Sequence, residues 1–126
     1  MPTTLVDQLC LILLCEPYEL YIRLLEPTIR EQAINFLKMV KLKTTHLRFN
    51  KSIKFHGLTY TGPRQLPAYR GFLQVNVAQY YYVKHKIILS YMEAPCIIQV
   101  PHSGNHGDHI EYYPLEVLCV DQDEKN

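Results

Sequence analysis

The run Val77-Ala78-Gln79-Tyr80-Tyr81-Tyr82-Val83-Lys84-His85-Lys86 holds the densest set of groups able to meet a phosphate. Tyr80 and Lys84 are four apart and share a face if the run is helical. A phenol hydroxyl can donate a hydrogen bond to a phosphodiester, and the lysine supplies the charge. Tyr81 or Tyr82 is expected to face the core. The bland alternative is that all three tyrosines are packing residues, since aromatic side chains commonly fill cores. A second group precedes this run: His46, Arg48, Lys51, Lys54, Phe55 and His56. If the two segments lie side by side, they form a basic, aromatic groove. Single-stranded nucleic acid needs that mixture, because cations track phosphates while rings stack on bases at about 1–3 kcal/mol per base.

Charge points the same way. The net charge of +1 averages over a segregation: no Asp or Glu lies between positions 31 and 93. That interval carries ten cationic residues, Lys38, Lys41, Lys43, Arg48, Lys51, Lys54, Arg64, Arg70, Lys84 and Lys86. A field of one sign over part of a surface attracts a polyanion, although a solvated basic face without a partner has the same composition. A length of 126 residues suits one domain, and a hydrophobic fraction of 48% excludes a disordered chain. The longest apolar run, 9–15, is shorter than the roughly 20 residues a bilayer span needs, and no basic stretch opens a secretory signal. No membrane partner is expected, and the expected compartment is the cytoplasm, with the nucleus as an alternative. Cys10, Cys15, Cys96 and Cys119 show no CxxC pairing and sit in apolar stretches, as reduced, buried thiols do. A Cys96–Cys119 disulfide stays open at this point.

The elements that must position these groups follow from periodicity. Thr3 or Thr4 can cap a first helix running to about residue 15, with Leu5, Val6, Leu9, Ile12 and Leu13 at helical spacing and Glu16-Pro17 ending it. A short helical piece over 18–25 follows. Thr28 with Glu31 reads as a capping box for a third helix, whose apolar stripe is Ile29, Ala33, Phe36, Leu37 and Val40. Strand-like alternation then covers 40–49, with a turn at Asn50-Lys51-Ser52. A return strand carries Ile53, Phe55 and Tyr60 and is interrupted at Gly57. Residues 61–71 read as a loop or tight hairpin, and Leu73, Val75 and Val77 as a further strand. The tyrosine helix falls at about 77–86, and strands are expected over 87–91, 96–100 and 115–120. A polar loop covers 102–109, and 121–126 is a charged tail expected to fray. The sum is one α+β domain over 1–126: helices at about 4–39, a small OB-like β-barrel with its flap at about 40–120, then the tail.

One ordered set of motifs carries a resemblance. Thr45-His46 comes first, followed by a basic hairpin ending in Lys54-Phe55 and a Pro-containing loop. Val77-Ala78-Gln79-Tyr80-Tyr81, Pro95-Cys96-Ile97-Ile98-Gln99-Val100 and Tyr112-Tyr113-Pro114-Leu115-Glu116-Val117 then follow in order. Together, from the capping box to about Val120, they resemble the PAZ domain of Argonaute-family proteins. The Pro-Leu-Glu-Val ending and the compact basic hairpin favour Argonaute over Dicer. The resemblance implies an OB-like barrel with an appended hairpin-helix flap that clamps the 3′ end of a guide or small interfering RNA in RNA silencing. By motif, the phosphate contacts fall on His46, Tyr80, Lys84 and His85, the hairpin contacts on Lys51, Lys54 and Phe55, and the end pocket on Tyr113. Arg48 joins them from the same basic hairpin. The aromatic that stacks on the last base is Tyr69, with Phe72 as second choice. His85 stands where the family usually has tyrosine, Tyr113 where leucine is common, and 63–76 is shorter than typical; these departures mark a divergent branch. The resemblance further implies a monomeric domain, excised from a larger multidomain protein, with no catalytic residue, metal or cofactor of its own.

Rival readings have their own discriminators. A general single-strand binder would ignore the RNA end. A ribonuclease would use His46 and His85 as general acid and base and Lys84 to stabilise the pentavalent phosphate. No carboxylate in the central segment is there to orient either imidazole, and cleavage lost in His46→Ala would support this rival. A protein-interaction module would dock a partner on a helical face and tolerate Tyr80→Ala. His102, His106, Asp108 and His109 have spacing that a zinc ion can use, but structural zinc usually takes cysteine as well and none lies in that loop. No metal is expected there.

Overall fold

In the computed structural model, which describes residues 4–47, 50–68, 75–100 and 110–121, helices come first and short strands follow. Helix α1 (Leu5–Leu13) starts where the Thr4 side chain accepts the Asp7 N–H at 3.2 Å. It buries Leu5, Val6, Leu9 and Leu13 of the expected stripe together with Cys10, while Ile12 is only partly buried. Leu14 turns into the left-handed region (φ 56°) and ends the helix, and the Cys15 N–H returns to the Cys10 carbonyl at 3.1 Å. A 3-10 turn (Pro17–Glu19) and the short helix α2 (Leu20–Arg23) lead to α3 (Pro27–Met39). The expected capping box at Thr28 and Glu31 is not formed. The helix begins two residues earlier than that box requires, at Pro27, whose fixed φ and missing N–H suit a first helical position.

Six strands are drawn among the described residues: β1 (Leu42–Thr44), β2 (Ser52–Ile53), β3 (Gly57–Leu58), β4 (Cys96–Gln99), β5 (Glu111–Pro114) and β6 (Leu118–Val120). Helix α4 (Val77–His85) lies between β3 and β4, and a 3-10 turn (Leu115–Val117) joins β5 to β6. The strands make two antiparallel three-stranded sheets, β2-β1-β6 and β3-β4-β5. The α+β class stands. The single closed barrel does not appear among the described residues, because the expected return strand is divided between the sheets. Ser52–Ile53 pairs with β1, whereas Gly57–Leu58 pairs with Ile98 and Ile97 of β4.

Other expectations are corrected as well. Among the described residues of the strand expected over 40–49, only Leu42–Thr44 is strand. The strand over 87–91 is absent, since the Ser90 and Tyr91 N–H groups donate to the Glu116 carboxylate (2.8–3.0 Å) instead of to a neighbouring strand. Glu111–Pro114, not anticipated as a strand, supplies the partner of β4. The expected strand ending at Val77 is not drawn in its described part: Val77 opens α4, and Asn76 bridges to Pro67. Asp121, placed in the fraying tail, continues the β1–β6 ladder through its N–H to the Lys41 carbonyl (2.7 Å).

One core serves both halves. Leu5, Leu9, Leu20, Leu24 and Leu37 from the helical half meet Leu42, Ile97 and Leu118 of the strands and Leu115 of the 3-10 turn, all fully buried. The four cysteines are free thiols, so Cys96 and Cys119 are not bridged. No helix among the described residues is long and apolar enough to cross a membrane.

Candidate nucleic-acid interface

Helix α4 is fixed at its start by a reciprocal cap: the Asn76 side chain accepts the Gln79 N–H (2.7 Å) and Gln79 accepts the Asn76 N–H (2.9 Å). At its other end Lys86 adopts a left-handed conformation (φ 61°) and closes the last turn. Between these ends Tyr81, 3% exposed, points into the core and Tyr82, 58% exposed, points out. Tyr80 and His85 are half-buried beside Tyr81, and Lys84 is exposed.

The β1–β2 hairpin delivers the second component. The Thr44 N–H donates to the Lys51 carbonyl (2.9 Å), the Lys51 N–H donates to the Thr44 hydroxyl (3.0 Å), and the Thr45 N–H donates to the Val117 carbonyl (2.8 Å). These bonds hold His46 against α4. Its ring meets His85 edge-on, with centroids 4.6 Å apart, and lies 5.1 Å from Tyr81. Tyr80 lies 5.6 Å from His85 and 5.5 Å from Tyr81, also edge-on. Four rings from two separate segments therefore form one cluster.

The third component comes from β5. Lys51 Nζ donates to the Tyr113 hydroxyl (3.3 Å), which donates to Glu111 Oε1 (3.2 Å). Gln99 Nε2 donates to the same carboxylate oxygen (2.9 Å), and Gln99 Oε1 accepts the Lys54 N–H (2.7 Å). This chain of polar groups ties the hairpin to the second sheet and holds Lys51 beside the ring cluster.

Burial sets the charge states. His46 lies below its ordinary 6.5 because burial penalises the imidazolium, with His85 and then Lys51 adding to the effect; the Val117 carbonyl opposes it in part. His85 is lowered by burial and by the adjacent Lys84. The Tyr81 phenol is pushed up by burial, then by Tyr113, Cys96, Tyr80 and Glu111. The Tyr113 phenol is pushed up by burial and by Glu111. At neutral pH the phenols of Tyr81 and Tyr113 are thus protonated donors and the imidazoles are mostly neutral, with Lys51 and Lys84 supplying charge.

Of the residues singled out in the sequence, His46, Lys51, Tyr80, His85 and Tyr113 are brought together, with Lys84 next to His85 on α4. Lys54 joins through its backbone while its side chain is exposed, and Phe55 is half-buried against the core. His56 is exposed and accepts the Val100 N–H (3.0 Å). Arg48, Tyr69 and Phe72, and the His102, His106, Asp108 and His109 loop, lie outside the described residues. Glu111 and Gln99 were missed. The available signal for Glu111 was its spacing of two from Tyr113, which puts both on one face of a strand. A different face of α4 lines an open apolar cavity of about 750 Å³ (Ala78, Tyr82, Val83, Ile88, Leu89, Met92), whose lining includes none of His46, Lys51, Tyr80, Lys84, His85 and Tyr113.

No protein-family model matches this sequence, and no curated protein matches it.

Proposed function

We propose that this domain is a non-catalytic clamp for the 3′ end of single-stranded small RNA, a divergent PAZ-type module of the Argonaute kind acting in RNA silencing. The observation that carries the reading is the meeting of His46 with the Tyr80–His85 face of α4, with Lys51 and Lys84 alongside. Phenol and imidazole N–H or O–H groups suit phosphate oxygens, and the ammonium groups balance the charge. Tyr80, His46, Lys84 and His85 hold the last phosphates, and Tyr113 closes the pocket on the terminal ribose. Tyr69 or Phe72 stacks on the terminal base. In this reading the two sheets are halves of an OB-like barrel, and the segment between β3 and β4, which includes α4, is its flap. The module works as a monomer within a longer cytoplasmic protein, without metal or cofactor.

Titration of a fluorescent single-stranded RNA with the wild type and with Tyr80→Phe tests the clamp. Removing one charge-assisted hydrogen bond, worth about 1.5–3 kcal/mol, should weaken binding about tenfold or more. Equal affinities would take Tyr80 out of the site. RNA that stays intact through long incubation separates a clamp from a ribonuclease built on His46 and His85.

A further inference from the structure

We propose that the clamp is proton-linked: a phosphodiester entering beside His46 and His85 draws one proton from solvent onto the imidazole pair. This rests on the reading of the site as a phosphate clamp and adds a regulation that the reading alone does not require.

The geometry is that of two imidazoles competing for one charge. Their centroids are 4.6 Å apart and their planes nearly perpendicular, at 81°. His46 Nδ1 is buried and has no hydrogen-bond partner among the described residues. The groups facing the pair come from each neighbouring element. From α4 come Tyr80, Tyr81 and Lys84; from the β1–β2 hairpin comes Lys51; from the 3-10 turn before β6 comes the Val117 carbonyl. From β5 come Tyr113 and Glu111, one step behind Lys51. Among the described residues no carboxylate pairs with either imidazole, and Glu111 is engaged by Tyr113 and Gln99. Two ammonium groups and two partly buried rings thus share the site, an environment hostile to a further positive charge.

An incoming phosphodiester reverses that balance. Its negative charge beside the rings favours the imidazolium form, while the short separation disfavours a second proton. His85 is the last residue of α4, where the carbonyl end of the helix also favours a cation. The proton moves from the buffer to a ring nitrogen, and no bond to phosphorus changes. Affinity should therefore rise as pH falls, in the range where histidine titrates.

The test is calorimetric titration of the full chain with an oligouridylate bearing a free 3′ hydroxyl, whose phosphodiesters and bases keep their charge between about pH 5.5 and about pH 8. At about pH 7, repeating the titration in buffers of different ionisation enthalpy counts the protons taken up; about one per RNA is expected. Binding should be about tenfold or more weaker at about pH 8 than at about pH 5.5, at fixed ionic strength. The double variant H46N/H85Q should lose that dependence. Binding with no proton uptake and flat affinity across pH overturns the linkage and leaves the clamp standing. Absence of RNA binding at every pH overturns the clamp, and the linkage with it. The buffer comparison uses only the wild type, so it decides even if the double variant does not fold.

Discussion

Burial works in opposite directions on the two kinds of ring in the cluster. It pushes the phenols of Tyr81 and Tyr113 up, towards the protonated donor form, and the imidazoles of His46 and His85 down, towards the neutral form. The histidine effect has a consequence for stability. Because the folded His46 lies below the 6.5 of the unfolded chain, the unfolded state binds the proton first as pH falls. The stabilisation is complete above the unfolded value and is lost as pH falls through the folded one, and His85 contributes in the same sense. The thermal midpoint should therefore be lower at about pH 5 than at about pH 7.5, and His46→Phe should narrow the gap. A gap unchanged by that substitution would mean that His46 is not held neutral by the fold. At this scale the sequence was informative for residues whose type is itself the signal: His46, Tyr80 and His85 stand at motif spacing. For Glu111 only the spacing of two from Tyr113 was legible. Its link through Tyr113 to Lys51 depends on an acidic flank folding back onto the basic segment, and no local pattern encodes that.

Among the elements, α1 was readable because Thr4 marks its start, while α4 lies where the sequence placed it and the structure adds the Asn76–Gln79 cap that fixes its first residue. The stretch 87–91 misled for a physical reason. Its apolar residues match a strand, but pairing needs a neighbouring ladder, and here a side chain replaces it: one Glu116 carboxylate takes the N–H groups of both Ser90 and Tyr91. Glu116 therefore has a structural role inside the Pro-Leu-Glu-Val motif. Glu116→Ala should cost about 1–3 kcal/mol, by leaving those donors without their charged acceptor, and speed amide exchange at Ser90 and Tyr91. Denaturant unfolding with hydrogen exchange checks this; an unchanged midpoint and unchanged exchange would return the segment to ordinary loop status. The division of the return strand between two sheets was likewise illegible, since Ile53 and Leu58 look alike in sequence and differ only in their partners.

Over the whole molecule, the helices supply one side of a shared core and the two sheets the other. From the cationic middle of the chain, the hairpin and α4 bring Lys51 and Lys84 to the ring cluster, whereas Lys43 pairs with Asp121 (3.9 Å) and Arg64 with Glu93 (3.2 Å). The acid-free interval is visible in the sequence; which of its cations reach the ring cluster depends on the tertiary fold. If the clamp neutralises about three phosphates, log K should fall with log salt at a slope near −2, taking about 0.7 per contact for single strands. A slope near zero would remove charge from the account. The most direct test of the central claim compares one single-stranded RNA blocked by a bulky group at its 3′ end with the same RNA blocked at its 5′ end. The clamp predicts binding about tenfold or more weaker for the 3′-blocked strand and unaltered for the 5′-blocked one. Equal affinity for the two would contradict end recognition.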